Sequence, residues 1–268
     1  MVSDPDCEPF FYRAVKPNVF EPSNRCIGPW NPNHQHGGPP IALLGQCFDG
    51  HFSGTSRLIS RMTVEILGPI DLDTMSVSIG VARAGTRIEL LEGFVTQRDH
   101  VVLRGLCWRF RVGSSTAVPF DGEPTSFSLP KDESTVRFPV ANKVPYIESM
   151  EWRFVHGGFD VPSYAIVWSR PRVPLVDNQP TSQLAKALLM LDSANGASSV
   201  LSFDSNLFVP VDMTLSMLRE PTGDWMGMEA KTTIGELGSG ITKTVLFDEA
   251  GYVGNTLHTL FVEPRLSR

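Results

Sequence analysis

The chain has 268 residues, with 23 Lys plus Arg against 29 Asp plus Glu, a formal net charge of −6 and a sequence pI near 5.5. That acidic balance argues against nucleic acid as a partner, and 41% hydrophobic with 19% charged residues excludes disorder as the general state. No apolar run approaches the roughly 18 residues of a membrane span, and residues 1–6 lack a basic stretch leading into an apolar one, so a cytoplasmic protein with no membrane span is expected.

The four cysteines, Cys7, Cys26, Cys47 and Cys107, include no C-x-x-C pair and read as reduced thiols. None of the six histidines falls into a zinc spacing, so no metal is expected.

In chain order, residues 10–30 supply opening strands. Gly37-Gly38-Pro39-Pro40 then runs into Ile41-Ala42-Leu43-Leu44-Gly45-Gln46-Cys47-Phe48, where prolines at the first turn fit a helix start because the missing N–H is not needed there. Residues 61–69 form a strand ending at Pro69, and three more extended segments follow at 74–84, 86–98 and 101–111. Alternation such as Val77-Ser78-Ile79-Gly80-Val81 marks them as strands with one packed face. Residues 113–146 are rich in Ser, Pro and charge without a period, and read as a linker.

The series then repeats. Opening strands come from residues 151–154 and 164–168, and a second helix from Gln183-Leu184-Ala185-Lys186-Ala187-Leu188-Leu189-Met190-Leu191-Asp192. A strand ending at Pro221 is followed by segments at 225–234, 240–247 and 252–262. Met62-Thr63-Val64 aligns with Met213-Thr214-Leu215, and the two series stay nearly in phase to Phe110 and Phe261. Two copies of one unit follow: residues 1–113, a linker at 114–146, and residues 147–268. Both helices are apolar nearly all round, so each is expected to be wrapped by sheet rather than laid on a surface.

A helix followed by four antiparallel strands, twice over, resembles the double hotdog: an α+β fold of two antiparallel sheets, each around a buried central helix and joined side by side. The ordered motifs Trp30-Asn31-Pro32-Asn33-His34-Gln35-His36-Gly37-Gly38-Pro39-Pro40, Leu191-Asp192-Ser193-Ala194-Asn195-Gly196, Arg219-Glu220-Pro221-Thr222-Gly223-Asp224-Trp225 and Thr256-Leu257-His258-Thr259-Leu260-Phe261-Val262 resemble the thioesterase-like superfamily related to acyl-CoA thioesterase II. The resemblance implies hydrolysis of acyl-CoA to free acid and CoA without a cofactor, and association into homo-oligomers.

In that family an Asp, a Ser or Thr, and a Gln orient a water at the thioester carbonyl. The Asp corresponds to Asp192, an acid closing an apolar run, whose pKa desolvation would raise. The hydroxyl position falls at Pro210, leaving Thr214 on the same strand face as Asp212 as a substitute, and the Gln position falls at His258. His36, Gly37 and Gly38 are candidate substrate-binding residues, because amides at a helix N-terminus suit a developing oxyanion.

Two alternatives remain open from sequence. Asn31-Pro32-Asn33-His34 is similar to the N-P-x-H segment of hotdog enoyl-CoA hydratases, and Pro210 with His258 would also suit an impaired acyl-CoA or acyl-carrier binding protein. Arg57, Arg61, Arg104, Arg109 and Arg111, alternating along strands, read as a solvated face.

Overall fold

A computed structural model describes residues 8–51, 56–113, 127–140 and 143–265. Strands β1 (Tyr12–Lys16) and β2 (Val19–Pro22) open the chain, followed by helix α1 (Gly38–Gly50) and strands β3 (Arg57–Ile66), β4 (Met75–Arg83), β5 (Ile88–Gln97) and β6 (His100–Arg111). The second series holds a short α2 (Pro145–Glu148), β7 (Met150–Gly158), β8 (Val161–Pro171), α3 (Gln183–Leu191) and a one-turn α4 (Ala194–Ala197). It ends with β9 (Asn206–Pro210), β10 (Asp212–Met217), β11 (Met226–Ile234), β12 (Ser239–Asp248) and β13 (Gly251–Pro264). No helix among the described residues is long and apolar enough to cross a membrane.

The strands make one continuous antiparallel sheet of thirteen, in the order β1-β2-β4-β5-β6-β3-β10-β13-β12-β11-β8-β7, with β9 also on β13. One large sheet stands where two joined side by side were expected. β3 and β10 are the inner edge strands of the two copies, and they pair from Asp212↔Glu65 to Ser216↔Arg61. Each thereby satisfies the other's open edge. The two-residue hairpin closed by Gln97↔His100 turns through Arg98 and Asp99 at φ 47° and 66°, the left-handed pair that matches strand twist.

Both long helices lie against each other and against the inner face. Residues Ile41 to Leu44 and Phe48 of α1 are buried, as are Ala187 to Leu191 of α3. The helices approach where α1 has no side chain: a Cβ on Gly45 would stand 2.2 Å from Leu188 Cδ1. Gly93 and Gly105, paired across β5 and β6, leave room in the same way for Leu44 and Phe48.

Strand β13 outruns its neighbour. β10 covers its first half and β9 its last, with a break at Val211 between them. Thr259 N–H donates to Asp212 Oδ1 at the break.

The segment expected as a linker does more than span. Val136, Phe138 and Val140 pack on the core, and Tyr146 within α2 is fully buried. Residues 114–126 of it lie outside the described residues, as do Cys7 and residues 52–55. Cys26, Cys47 and Cys107 are free thiols, and burial pushes Cys47 up to about 11 and Cys107 up to about 12. The arginine face is only partly solvated. Arg104 is exposed and pairs with Glu92, whereas Arg109 is buried on Glu89 with Arg57 3.8 Å from the same carboxylate.

Candidate active site

The site lies where the start of α1 meets the end of α3, at one end of the antiparallel helix pair. Asp192 is the C-cap of α3, and the apolar run before it carries the carboxylate inward until it is only 4% exposed. Opposite stands the N-terminus of α1. A Cβ on Gly37 would lie 2.9 Å from Asp192 Oδ2, so glycine there is what lets the carboxylate reach the helix end.

His36, one residue before that helix, closes the contact from the other side. Its Nδ1 is 3.0 Å from Asp192 Oδ2, and its ring stacks on Tyr146 with centroids 3.8 Å apart at 10°. Tyr146 is held in turn, donating its hydroxyl to Leu189 O and lying 3.0 Å from Ser193 Oγ. Gly38 N–H donates to the same Nδ1 at 3.0 Å.

Burial pushes the Asp192 carboxyl up, but the charge and hydrogen bond of His36, with smaller contributions from His258 and the Gly38 N–H, outweigh it. The group titrates below its ordinary range. This reverses the sequence expectation of a raised pKa, because the compensating groups come from the other copy and from a distant strand. Asp192 Oδ1, meanwhile, is buried without a hydrogen-bond partner among the described residues.

His258 is fully buried, and neither ring nitrogen has a partner among the described residues. Desolvation lowers its pKa, opposed by the charges of Asp192 and Asp212, so the ring is neutral. Its register partner Thr242 hydrogen-bonds Thr232 at 2.8 Å, and Thr232 bonds Ser198 at 2.8 Å, which sets His258 at the end of a polar line under α4.

Thr214 is not brought to this place. It faces the opposite side of the sheet, its hydroxyl 3.4 Å from that of Thr63. Pro210 does reach the site, where it contributes ring carbons and no hydroxyl. Asn195, three residues after Asp192, bonds Phe208 O.

A cavity of about 460 Å³ opens beside His36 and Asp192. Its walls are mostly apolar, including Ile66, Leu67, Leu207 and Val209, and a cluster of rings closes one side. Trp30 stacks on Phe203 at 5.4 Å, and Phe138 meets Phe203 edge-on at 4.9 Å. His34 lines the cavity too, 3.6 Å from Asp71.

The helix N-terminus offers fewer amides than expected. Gly38 N–H is spent on the His36–Asp192 pair, 3.0 Å from Nδ1. Pro39 and Pro40 have none, and Ile41 N–H bonds Gly37 O. The Gly37 N–H carries no hydrogen bond to any described residue. Among the described residues no group of three His, Cys, Asp or Glu side chains gathers as a metal site would need.

Sequence reasoning missed the His36–Asp192 pair, Tyr146, Ser193 and the ring cluster. One signal was present: Asp49 ends the first helix as Asp192 ends the second, and it hydrogen-bonds Ser182 at the start of α3. Each helix end thus faces the other's start, and among the described residues the Asp192 junction is the one where a histidine side chain lies against the aspartate.

Residues 27–110 match the model of the acyl-CoA thioesterase N-terminal domain and residues 121–262 that of the acyl-CoA thioesterase C-terminal domain. Among curated proteins, none matches the chain by sequence. Solved structures similar to it include a hot dog fold protein of unknown function from Alicyclobacillus acidocaldarius, with TM-score 0.72, 15% identity and 95% and 96% of the two chains covered. An acyl-CoA thioesterase II from Mycobacterium marinum gives TM-score 0.68 and 14% identity over 96% of each chain. A tesB protein from Mycobacterium avium subs paratuberculosis gives 0.64 and 14% over 94% and 96%. At such identities these structures speak for the fold alone.

Proposed function

The chain belongs to the acyl-CoA thioesterase family and is a thioester hydrolase, and on that premise we propose that it hydrolyses acyl-CoA through a water oriented by Asp192. The observation that carries this reading is the buried, unpartnered Asp192 Oδ1, with the unpartnered ring nitrogens of the neutral His258 within electrostatic reach. A water needs two or more polar partners to settle in such a place, and Oδ1 offers one of them.

The acyl chain lies in the apolar cavity, with its thioester carbonyl toward the start of α1. The water oxygen adds to the carbonyl carbon, and one of its protons passes to the Asp192 carboxylate. The tetrahedral intermediate then collapses with cleavage of the C–S bond. The proton moves on to the departing thiolate, leaving the carboxylic acid and CoA.

A lowered pKa makes Asp192 a firm anchor for water and a modest base, so the proton transfers as the C–O bond forms rather than before it. Thr214 and the missing hydroxyl at Pro210 have no part in this scheme. Purified protein incubated with acyl-CoAs from short to long, including branched and aryl members, is expected to release thiol, with medium chains among the substrates. Absence of thiol from every member would refute the proposal.

A further inference from the structure

The hydrolase reading leaves one requirement unmet, which is a donor for the carbonyl oxygen as it becomes an oxyanion. In acyl transfer such donors supply much of the rate. The expected source, the first amides of α1, is nearly exhausted, since Gly38 N–H serves the His36–Asp192 pair and Pro39 and Pro40 have no N–H.

His36 stands at the same helix end with its second nitrogen uncommitted. Nδ1 faces Asp192 Oδ2 at 3.0 Å, whereas Nε2 has no hydrogen-bond partner among the described residues, and the side chain lines the cavity. The ring is rigid. Tyr146 stacks against it, and Tyr146 is itself pinned to Leu189 O and Ser193. A donor held in this way loses little entropy when it meets its acceptor.

We propose that His36 is a catalytic residue that donates from Nε2 to the thioester carbonyl oxygen, with the Gly37 N–H as a second donor. The proposal rests on the hydrolase reading above and adds the electrophilic half of the site. Gly38 N–H donates to Nδ1 at 3.0 Å, so the ring carries a proton at Nε2. One carboxylate thus does two things: Oδ2 holds the ring that polarises the carbonyl, and Oδ1 holds the water that attacks it.

The test compares wild type with His36→Asn, which keeps a polar group in the place of Nδ1 but has nothing at Nε2. His36→Gln serves as a second variant should the first fold poorly. Each is assayed for thiol release with the best acyl-CoA of the panel. Each is also bound to the matching ketone analogue, in which CH2 replaces the thioester sulfur and the carbonyl carbon is ¹³C, for infrared measurement of the C=O stretch.

Loss of an oxyanion donor lowers kcat by about 10²–10³. The expected result is a loss of that size with KM little changed, and a C=O band at lower frequency on wild type than on the variant. A merely structural histidine, or one acting as a base on water, would leave the band unmoved. Coincident bands, or a variant whose kcat stays within a few-fold of wild type, would overturn the role of His36 while leaving the hydrolase reading intact. Wild type that releases no thiol would instead bring down the hydrolase reading.

Discussion

Thr63 and Thr214 stand directly opposite each other in the β3–β10 ladder, their hydroxyls 3.4 Å apart on the face away from the helices. They hold equivalent places in the two copies, so their meeting marks the local axis that relates one copy to the other. The face they occupy explains why Thr214, the obvious hydroxyl near Asp212 in sequence, is remote from Asp192.

Thr214→Val is therefore expected to leave kcat within about two-fold of wild type and to cost about 1 kcal/mol of stability, the scale of a single lost hydrogen bond. Steady-state thiol release and urea unfolding check both halves. A hundred-fold loss of kcat with an unchanged unfolding midpoint would show that the hydroxyl takes part in the chemistry.

The His258 ring makes stability depend on pH. Its pKa in the folded protein is depressed by burial, so below the ordinary value of 6.5 the unfolded chain takes up a proton that the folded one resists. Stability is then full above pH 6.5 and falls as the pH drops toward the folded value. Tm of wild type is expected to decline from pH 7 to pH 5, and His258→Gln, which carries no titratable ring, to decline less. Equal declines in the two proteins would contradict the assignment of a neutral buried histidine.

Gly45 tests the helix contact. Alanine would gain about 1 kcal/mol of helix propensity, but its Cβ would meet Leu188 Cδ1 at 2.2 Å within a closed core. Overpacking of this kind costs about 1–3 kcal/mol. Gly45→Ala should lower Tm, and a rise in Tm would mean that the helices do not cross there.

Much of the fold was legible in the residues because period-two alternation and turn chemistry are local. The strands of both series and the Pro39-Pro40 helix start fall where pattern places them. β9 escaped because Phe208-Val209-Pro210 lacks alternation and its pairing comes from β13, far along the chain.

Asp192 was legible as an acid closing an apolar run, whereas its partner was not. Nothing local to His36 says that it will meet a carboxylate from the other copy. The reversed pKa shift has the same origin: burial can be read from a neighbouring apolar run, but His36, His258 and the Gly38 amide reach Asp192 only through the tertiary fold.

The ring cluster bears on acyl selectivity. Phe203 is buried between Trp30 and Phe138 on one wall of the cavity. Phe203→Leu removes ring area and opens space, so kcat/KM is expected to shift toward longer or bulkier acyl groups, with a loss of about 1–3 kcal/mol in stability. An unchanged preference over the acyl-CoA panel would place the acyl chain elsewhere.

The most direct measurement is thiol release by Asp192→Asn beside wild type, over the same acyl-CoA panel and with Tm recorded for both. Asparagine preserves size, but it cannot take a proton from water. Positioned acid–base groups contribute about 10²–10⁴ in rate. The expected result is a kcat at least a hundred-fold below wild type in a folded protein. Hydrolysis by Asp192→Asn at the wild-type rate would contradict the account.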